Sequence, residues 1–260
     1  MKKAVKIGFV TIGQSPRPDV VPEIGRMVGP GIEILEKGAL DGLSGEEIGQ
    51  LLPEKGDFRL ITRLRNGRTA VVGKKKILPL LEKTIGELAA EDVHLIVLLC
   101  TDEFLAIRKG SGSDRIVLQP FRLLKHEVRT HLKEGSLGVL VPLEEQKAAT
   151  KRKWKKTGPR VVVEALNPYG ETTADDEAIE RMRNETVGMI VLDCIGYSSK
   201  AKDRLERILG KPVLLPRAVL ASAIIKLILD SYDRLENDDV VIASAAWRSH
   251  GKAGTIRGKQ

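Results

Sequence analysis

The chain is expected to fold as an α/β protein of two pseudo-symmetric parallel-sheet, flavodoxin-like halves with a cleft between them. Three observations carry this. Apolar runs of strand length alternate with helix-period segments along most of the 260 residues, the pattern of successive βα units. Stretches recur in the same order: IGFVTIGQ (7–14) pairs with LGVLVPLE (137–144), LIVLLCTD (95–102) with MIVLDCIG (189–196), and IVLQPFRLL (116–124) with PVLLPRAVL (212–220). The only two cysteines, Cys100 and Cys194, each close one of the paired apolar runs. That places a sulfur at the carboxyl end of a parallel strand, where open α/β sheets bind ligands.

Taken in order, Val5 to Ile12 is a strand, followed by the loop GQSPRPD and a helix from Val20 to Val28. Ile32 to Glu36 is a second strand. Ser44 with Glu47 three residues later is a capping box that opens a short helix. Arg59–Leu64 and Thr69–Val72 flank Asn66-Gly67, a hairpin signal. Lys75–Ala90 is helical, His94–Leu99 is the strand before Cys100, and Ile116–Leu118 is a short strand that leads to a helix over Arg122–Lys133. The second half then runs strand (Ser136–Val141), helix (Glu144–Lys156), strand (Val161–Ala165), helix (Asp175–Arg183), and strand (Met189–Asp193) before Cys194. Helix (Lys202–Leu209), strand (Val213–Leu215) and an apolar helix (Val219–Leu229) complete it.

Spacing tests the repeat. Gly8 to Cys100 spans 92 residues and Gly138 to Cys194 spans 56, and the hairpin region around 56–73 with its flanks accounts for the surplus of 36. Cys100 to Pro120 and Cys194 to Pro216 span 20 and 22. The expected first half is 1–120 with 217–238, its closing helix packing back on it, and the second half is 121–216. Residues 239–260, a Gly/Lys/Arg tail after one short apolar run, are expected to be poorly ordered.

Composition limits the function. Hydrophobic residues at 42% and charged residues at 30% suit a folded, water-soluble chain. No apolar stretch is long enough to span a bilayer, and the opening lacks a signal-peptide core, so a cytoplasmic location with reduced thiols is expected, and no membrane partner. The net charge of +8 is compatible with an anionic small-molecule partner. Its densest run, KRKWKK (151–156), reads as a solvated helix end. A polyanion site is the competing reading, but aromatics at 3% and the lack of a nucleic-acid motif argue against nucleic acid. A homo-oligomer is compatible with all of this.

A cysteine at a strand end meets free backbone amides that favour thiolate, although a free cysteine can equally be a small buried hydrophobe. Two in matched positions favour chemistry at the pair. Asp102 and Glu103 are expected as dipole partners in a helix's first turn, with proton relay as the alternative. Arg17 is either a bidentate fork for a substrate carboxylate or an exposed loop arginine. Arg122 and Arg217, after the paired prolines, could face the cleft from opposite sides. His126 and His131 are five apart, which does not suit two ligands on one helix face. No zinc pattern, phosphate loop or dinucleotide fingerprint occurs, so no metal and no cofactor is expected.

VLLCTD (97–102) and VLDCIGYS (191–198) resemble the paired cysteine motifs of the aspartate/glutamate/hydantoin racemases. Within that superfamily, VKIGFVTIGQSPRPDVVPE (5–23) is highly similar to the AroM family, and the similarity continues through TDEF and LDCIGYS to the helix near Asp230. The resemblance implies cofactor-independent proton transfer at carbon in a small carboxylate or related anion, as a racemase, isomerase or decarboxylase. It makes Cys100 and Cys194 the two bases. It places Thr101, Tyr197 and Ser198 at a substrate carboxylate, and Gln14 and Ser15 along the cleft. Thr101 and Gly196 stand where amino-acid racemases carry asparagine and histidine, which shifts the expectation from glutamate or aspartate toward the hydantoin-racemase and decarboxylase branches. The alternative is a non-catalytic small-anion-binding or regulatory protein that keeps the cleft.

Overall fold

The computed structural model describes residues 5–107, 116–156, 160–169 and 173–236. Strand β1 (Val5–Thr11) leads to helix α1 (Val21–Val28), β2 (Ile32–Gly38) and the short α2 (Gly45–Gly49). The Ser44 capping box forms as expected, with both reciprocal hydrogen bonds present. β3 (Arg59–Arg63) and β4 (Thr69–Gly73) pair antiparallel, and Gly67 turns the hairpin at φ 79°. α3 (Lys74–Ala89), β5 (Leu95–Leu98) and β6 (Val117–Leu118) follow.

α4 (Pro120–His131) starts on the proline itself, which needs no N–H donor at the first helical position. β7 (Ser136–Val141) leads through a 3-10 turn (Glu144–Gln146) into α5 (Lys147–Lys155) and β8 (Val161–Ala165). The chain continues through α6 (Thr173–Asn184), β9 (Val187–Leu192), α7 (Ser199–Leu209), β10 (Val213–Leu214) and α8 (Pro216–Glu236). Asp102 and Glu103 do not open a helix: no helix begins between β5 and β6 among the described residues.

The internal repeat is visible in topology and in register. One parallel sheet is ordered β2-β1-β5-β6 and the other β8-β7-β9-β10. In the first, Gly8 lies opposite Ile96 and Ile96 opposite Val117. In the second, Gly138 lies opposite Ile190 and Ile190 opposite Val213. The β3–β4 hairpin has no counterpart among the described residues of the second half, which accounts for the longer spacing in the first.

Buried runs such as SLGVLV in β7 reflect a sheet covered on both faces. Val10, Ile96, Leu98 and Cys100 pack with Leu81 and Ile85 of α3. On one side of the second sheet, Leu140, Ile190, Leu192 and Cys194 pack with Leu205. On the other, Phe121, Leu124 and Val128 of α4 pack with Val139, Val191 and Trp154. Both sheets belong to one compact unit, and α8 from Ala223 onward belongs to a second. The tail expected at 239–260 lies outside the described residues. Among the described residues no helix is long and apolar enough to cross a membrane.

Candidate active site

Each cysteine follows its strand in the same way. The Leu99 N–H donates to the Val10 carbonyl at 2.8 Å, and the Asp193 N–H donates to the Leu140 carbonyl at 2.8 Å, so the next residue of each half, Cys100 and Cys194, leaves the sheet at an equivalent point. Both line one cavity of about 40 Å³. Ile12 and Pro142, just past β1 and β7, form part of its wall, and Leu60 and Thr62 of the hairpin close over it. Gly13 permits this closure, because a Cβ there would fall 2.3 Å from the Arg63 carbonyl and the Thr62 hydroxyl.

On the Cys100 side the cavity is charged. Lys153 reaches inward from α5, placing Nζ 2.7 Å from Asp193 Oδ2 and 3.9 Å from Asp102 Oδ1, and it donates to the Thr101 carbonyl at 3.3 Å. Lys74 pairs with Asp102 Oδ2 at 2.6 Å. Trp154 donates its indole N–H to Asp193 Oδ2 at 2.7 Å and meets Phe121 edge-on, with centroids 5.1 Å apart. Burial works against the Lys153 charge, but Asp193 and Asp102 outweigh it and raise its pKa. Burial, and then the adjacent Asp102 carboxylate, push the Cys100 thiol up to about 12.

The Cys194 side is richer in donors. The Gly196 N–H points at the sulfur, 3.4 Å away. Burial raises this thiol too, against the pull of the Gly196 N–H and the Arg17 guanidinium. The amides expected to favour thiolate are therefore outweighed at both cysteines by the cost of burying a charged sulfur. Asp193 Oδ1 and the Thr62 hydroxyl line the same cavity, and neither has a hydrogen-bond partner among the described residues.

Of the expected substrate ligands, the structure brings Arg17 and Thr101 to the cavity with the cysteines. Arg17 is not an exposed loop residue: it is 2% exposed. Its fork closes on Asp19, with Nε–Oδ1 and Nη2–Oδ2 both 2.8 Å, and Nη1 donates to Thr11 at 3.0 Å. The other five lie outside the cavity lining. Gln14 bonds the Leu40 carbonyl and the Arg65 N–H, and Ser15 bonds Asp41 through both its N–H and its hydroxyl. The Tyr197 hydroxyl donates to the Leu166 carbonyl at 2.5 Å, and Ser198 caps α7.

Arg217 is 1% exposed and holds the loop after Cys194 by donating to the Ile195 and Gly196 carbonyls at 2.8 Å and to Glu23 at 2.7 Å. Arg122 lines a separate pocket of about 350 Å³. Lys153, Asp193, Thr62 and Tyr169 carry no motif that singles them out in the sequence. The signals for two of them are Asp193 replacing the leucine of LLC in the second repeat, and Thr150, Lys153 and Trp154 sharing one helix face. Among the described residues no group of His, Cys, Asp and Glu is gathered as a metal ion requires.

Two like-registered parallel sheets, each followed by a cysteine that lines a shared cavity, define the fold. Solved structures share it. Allantoin racemase from Klebsiella pneumoniae is 16% identical, with TM-score 0.58 over 88% of this chain and 89% of that one. Maleate isomerase Iso from Pseudomonas putida S16 is 14% identical, with TM-score 0.57 over 87% and 93%. Glutamate racemase from Francisella tularensis subsp. tularensis SCHU S4, in complex with D-glutamate, is 12% identical, with TM-score 0.54 over 88% and 82%. The chain belongs to the AroM family, whose model, described as AroM protein, matches residues 7–228. Comparison with curated proteins returned no match.

Proposed function

We propose that the protein catalyses cofactor-independent proton transfer at carbon in a small carboxylate, as a racemase, isomerase or decarboxylase, with Cys100 and Cys194 as its acid–base pair. The observation that carries this is the convergence of both sulfurs, from equivalent strand ends, on one cavity that Arg17, buried, and Lys153, half-buried, also line. The solved structures that share the fold include racemases and an isomerase, which supports the same class of chemistry.

The two sulfurs have different surroundings and so suit different roles. Cys100, kept protonated by burial and by Asp102, suits the donor role. Cys194, facing the Gly196 N–H and the Arg17 guanidinium, suits the acceptor. Cys194, as thiolate, takes a proton from the carbon next to the carboxylate. The Cys100 thiol then delivers its own proton to the opposite face, so charge is conserved and the pair exchanges protonation states. In a decarboxylation, loss of carbon dioxide creates the carbanion and only the delivery step is needed. The Thr62 hydroxyl and the two cations hold the substrate carboxylate, and Asp193 Oδ1 accepts a donor from the substrate.

Incubation with small carboxylates in deuterium oxide tests this. Deuterium should enter at carbon and should stop entering when both cysteines are replaced, in the Cys100→Ser, Cys194→Ser double variant. Persistent exchange in the double variant removes the mechanism. A second reading, a non-catalytic anion-binding protein, is favoured by the Arg17 fork already being closed on Asp19 and by both thiols being held protonated. A carboxylate that raises Tm yet undergoes neither exchange nor conversion supports it.

A further inference from the structure

A second cavity, of about 350 Å³, lies between α4 and the segment that follows Asp102. It shares no lining residue with the cysteine cavity. One wall is basic. Arg122, Lys125, His126 and Arg129 stand at i, i+3, i+4 and i+7 of α4, which puts them on one helix face. Leu124 and Val128, on another face of the helix, pack in the core of the second half.

These cations lack a counter-charge from the fold. Among the described residues, Arg122, Lys125 and Arg129 form no ion pair and no side-chain hydrogen bond. The glutamate of α4, Glu127, lies 3.2 Å from His131, and the one acid in the lining is Glu103. Elsewhere the chain matches its buried cations itself: Asp19 serves Arg17, Asp193 serves Lys153 and Glu23 serves Arg217.

The other wall is apolar and preformed. Phe121 meets Trp154 edge-on and lies 4.7 Å from Lys153 Nζ, and Phe104 lies 5.1 Å from Lys74 Nζ. Both rings are thus fixed from within. Leu105, beside them, is 63% exposed. A volume of this size, with an apolar wall and a few convergent polar groups, suits a small molecule.

We infer that this pocket is a second ligand site, for a small organic anion that carries two or more negative charges on an apolar or aromatic frame. The three cations bind the charges, the arginines most directly, because their planar forks match carboxylate geometry. The rings and Leu105 cover the frame and remove apolar surface from water. A frame with one charge leaves most of the basic wall unpaired, and an anion with no apolar frame leaves Leu105 in water. The site is independent of any chemistry at the cysteines.

Isothermal titration calorimetry of the full-length protein with benzene-1,3,5-tricarboxylate tests this. Benzoate supplies the ring with one charge, and citrate supplies the charges without the ring. The tricarboxylate should bind at one site per chain and more tightly than either. Arg122→Gln, Lys125→Gln and Arg129→Gln should each weaken it by roughly fivefold. Leu105→Ser should weaken the tricarboxylate by roughly threefold and leave citrate unchanged. The Cys100→Ser, Cys194→Ser double variant should keep the affinity, and so should Lys151→Gln, which alters an exposed lysine of α5.

Absence of tricarboxylate binding overturns the inference, as does citrate binding equally well. Equal losses in Lys151→Gln and Arg122→Gln would mark general attraction to a chain of net charge +8 and would overturn it too. Binding that disappears with the two cysteines assigns the anion to their cavity instead. Retained binding in that variant supports the second site, whatever becomes of deuterium exchange.

Discussion

Lys153 shows how far a single side chain can depart from its sequence surroundings. It lies inside KRKWKK, where the lysines and arginine on either side, Lys151, Arg152, Lys155 and Lys156, are exposed, yet it pairs with Asp193 at 2.7 Å. Lys153→Met leaves Asp193 buried beside Trp154 alone, and breaking such a pair should cost about 3–5 kcal/mol in urea unfolding. Lys151→Met should change stability by less than about 0.5 kcal/mol. Cys100 gives a pH signature of its own. Folded, it keeps its proton up to about 12, whereas unfolded it releases it near roughly 8.5. Between those values the folded state binds the extra proton, so the stabilisation is fully present below the lower value and is lost as pH rises toward the upper one. Unfolding midpoints measured from pH 8 to 11 should fall more steeply for the unaltered protein than for Cys100→Ser. Both thiols are legible in the sequence as residues at strand ends. Their protonation is not, because burial depends on which segments cover them.

Elements whose signals are local can be read directly from the chain. The α2 cap, the Asn66-Gly67 turn and the order of strands and helices follow from side chains acting on their own backbone. Asp102 and Glu103 mislead for the complementary reason. Acidic residues after a strand resemble a helix start, but Asp102 is instead held across the chain by Lys74 and Lys153. The basic run reads as a solvated helix end, which holds for most of it. Trp154, fully buried against Phe121, makes α5 a core element as well, and Trp154→Ala should cost about 3–5 kcal/mol. The hairpin is legible as an insertion, but its position over the cavity is not. Gly13→Ala forces a methyl group into the Arg63 carbonyl and the Thr62 hydroxyl, so it should lift the hairpin. The expected result is faster alkylation of both cysteines at a fixed pH and a lower Tm.

The two halves are joined by groups that no motif announces. Glu23 of α1 accepts from the Ser199 N–H and hydroxyl and from Arg217, at 2.9, 2.6 and 2.7 Å. Burial would raise the Glu23 pKa, but Ser199 and Arg217 outweigh it and hold it below the usual glutamate value. The folded state therefore binds fewer protons here in acid, and the stabilisation is present above about pH 4.3 and lost as pH falls through the lowered value. Glu23→Gln should flatten the acid limb of unfolding midpoints measured from pH 5 to 3. At this scale the duplicated order of strands, the two cysteines and the family resemblance are open to inspection in the chain itself, since strand periodicity, turn chemistry and repeated segments are written in consecutive residues. The partners were settled only by packing: Arg17 with Asp19, Arg217 with Glu23, and Lys153 with Asp193. Each joins residues that a one-dimensional pattern does not pair, and each follows from the need of a charge or hydroxyl removed from water to find its complement wherever the fold brings one near.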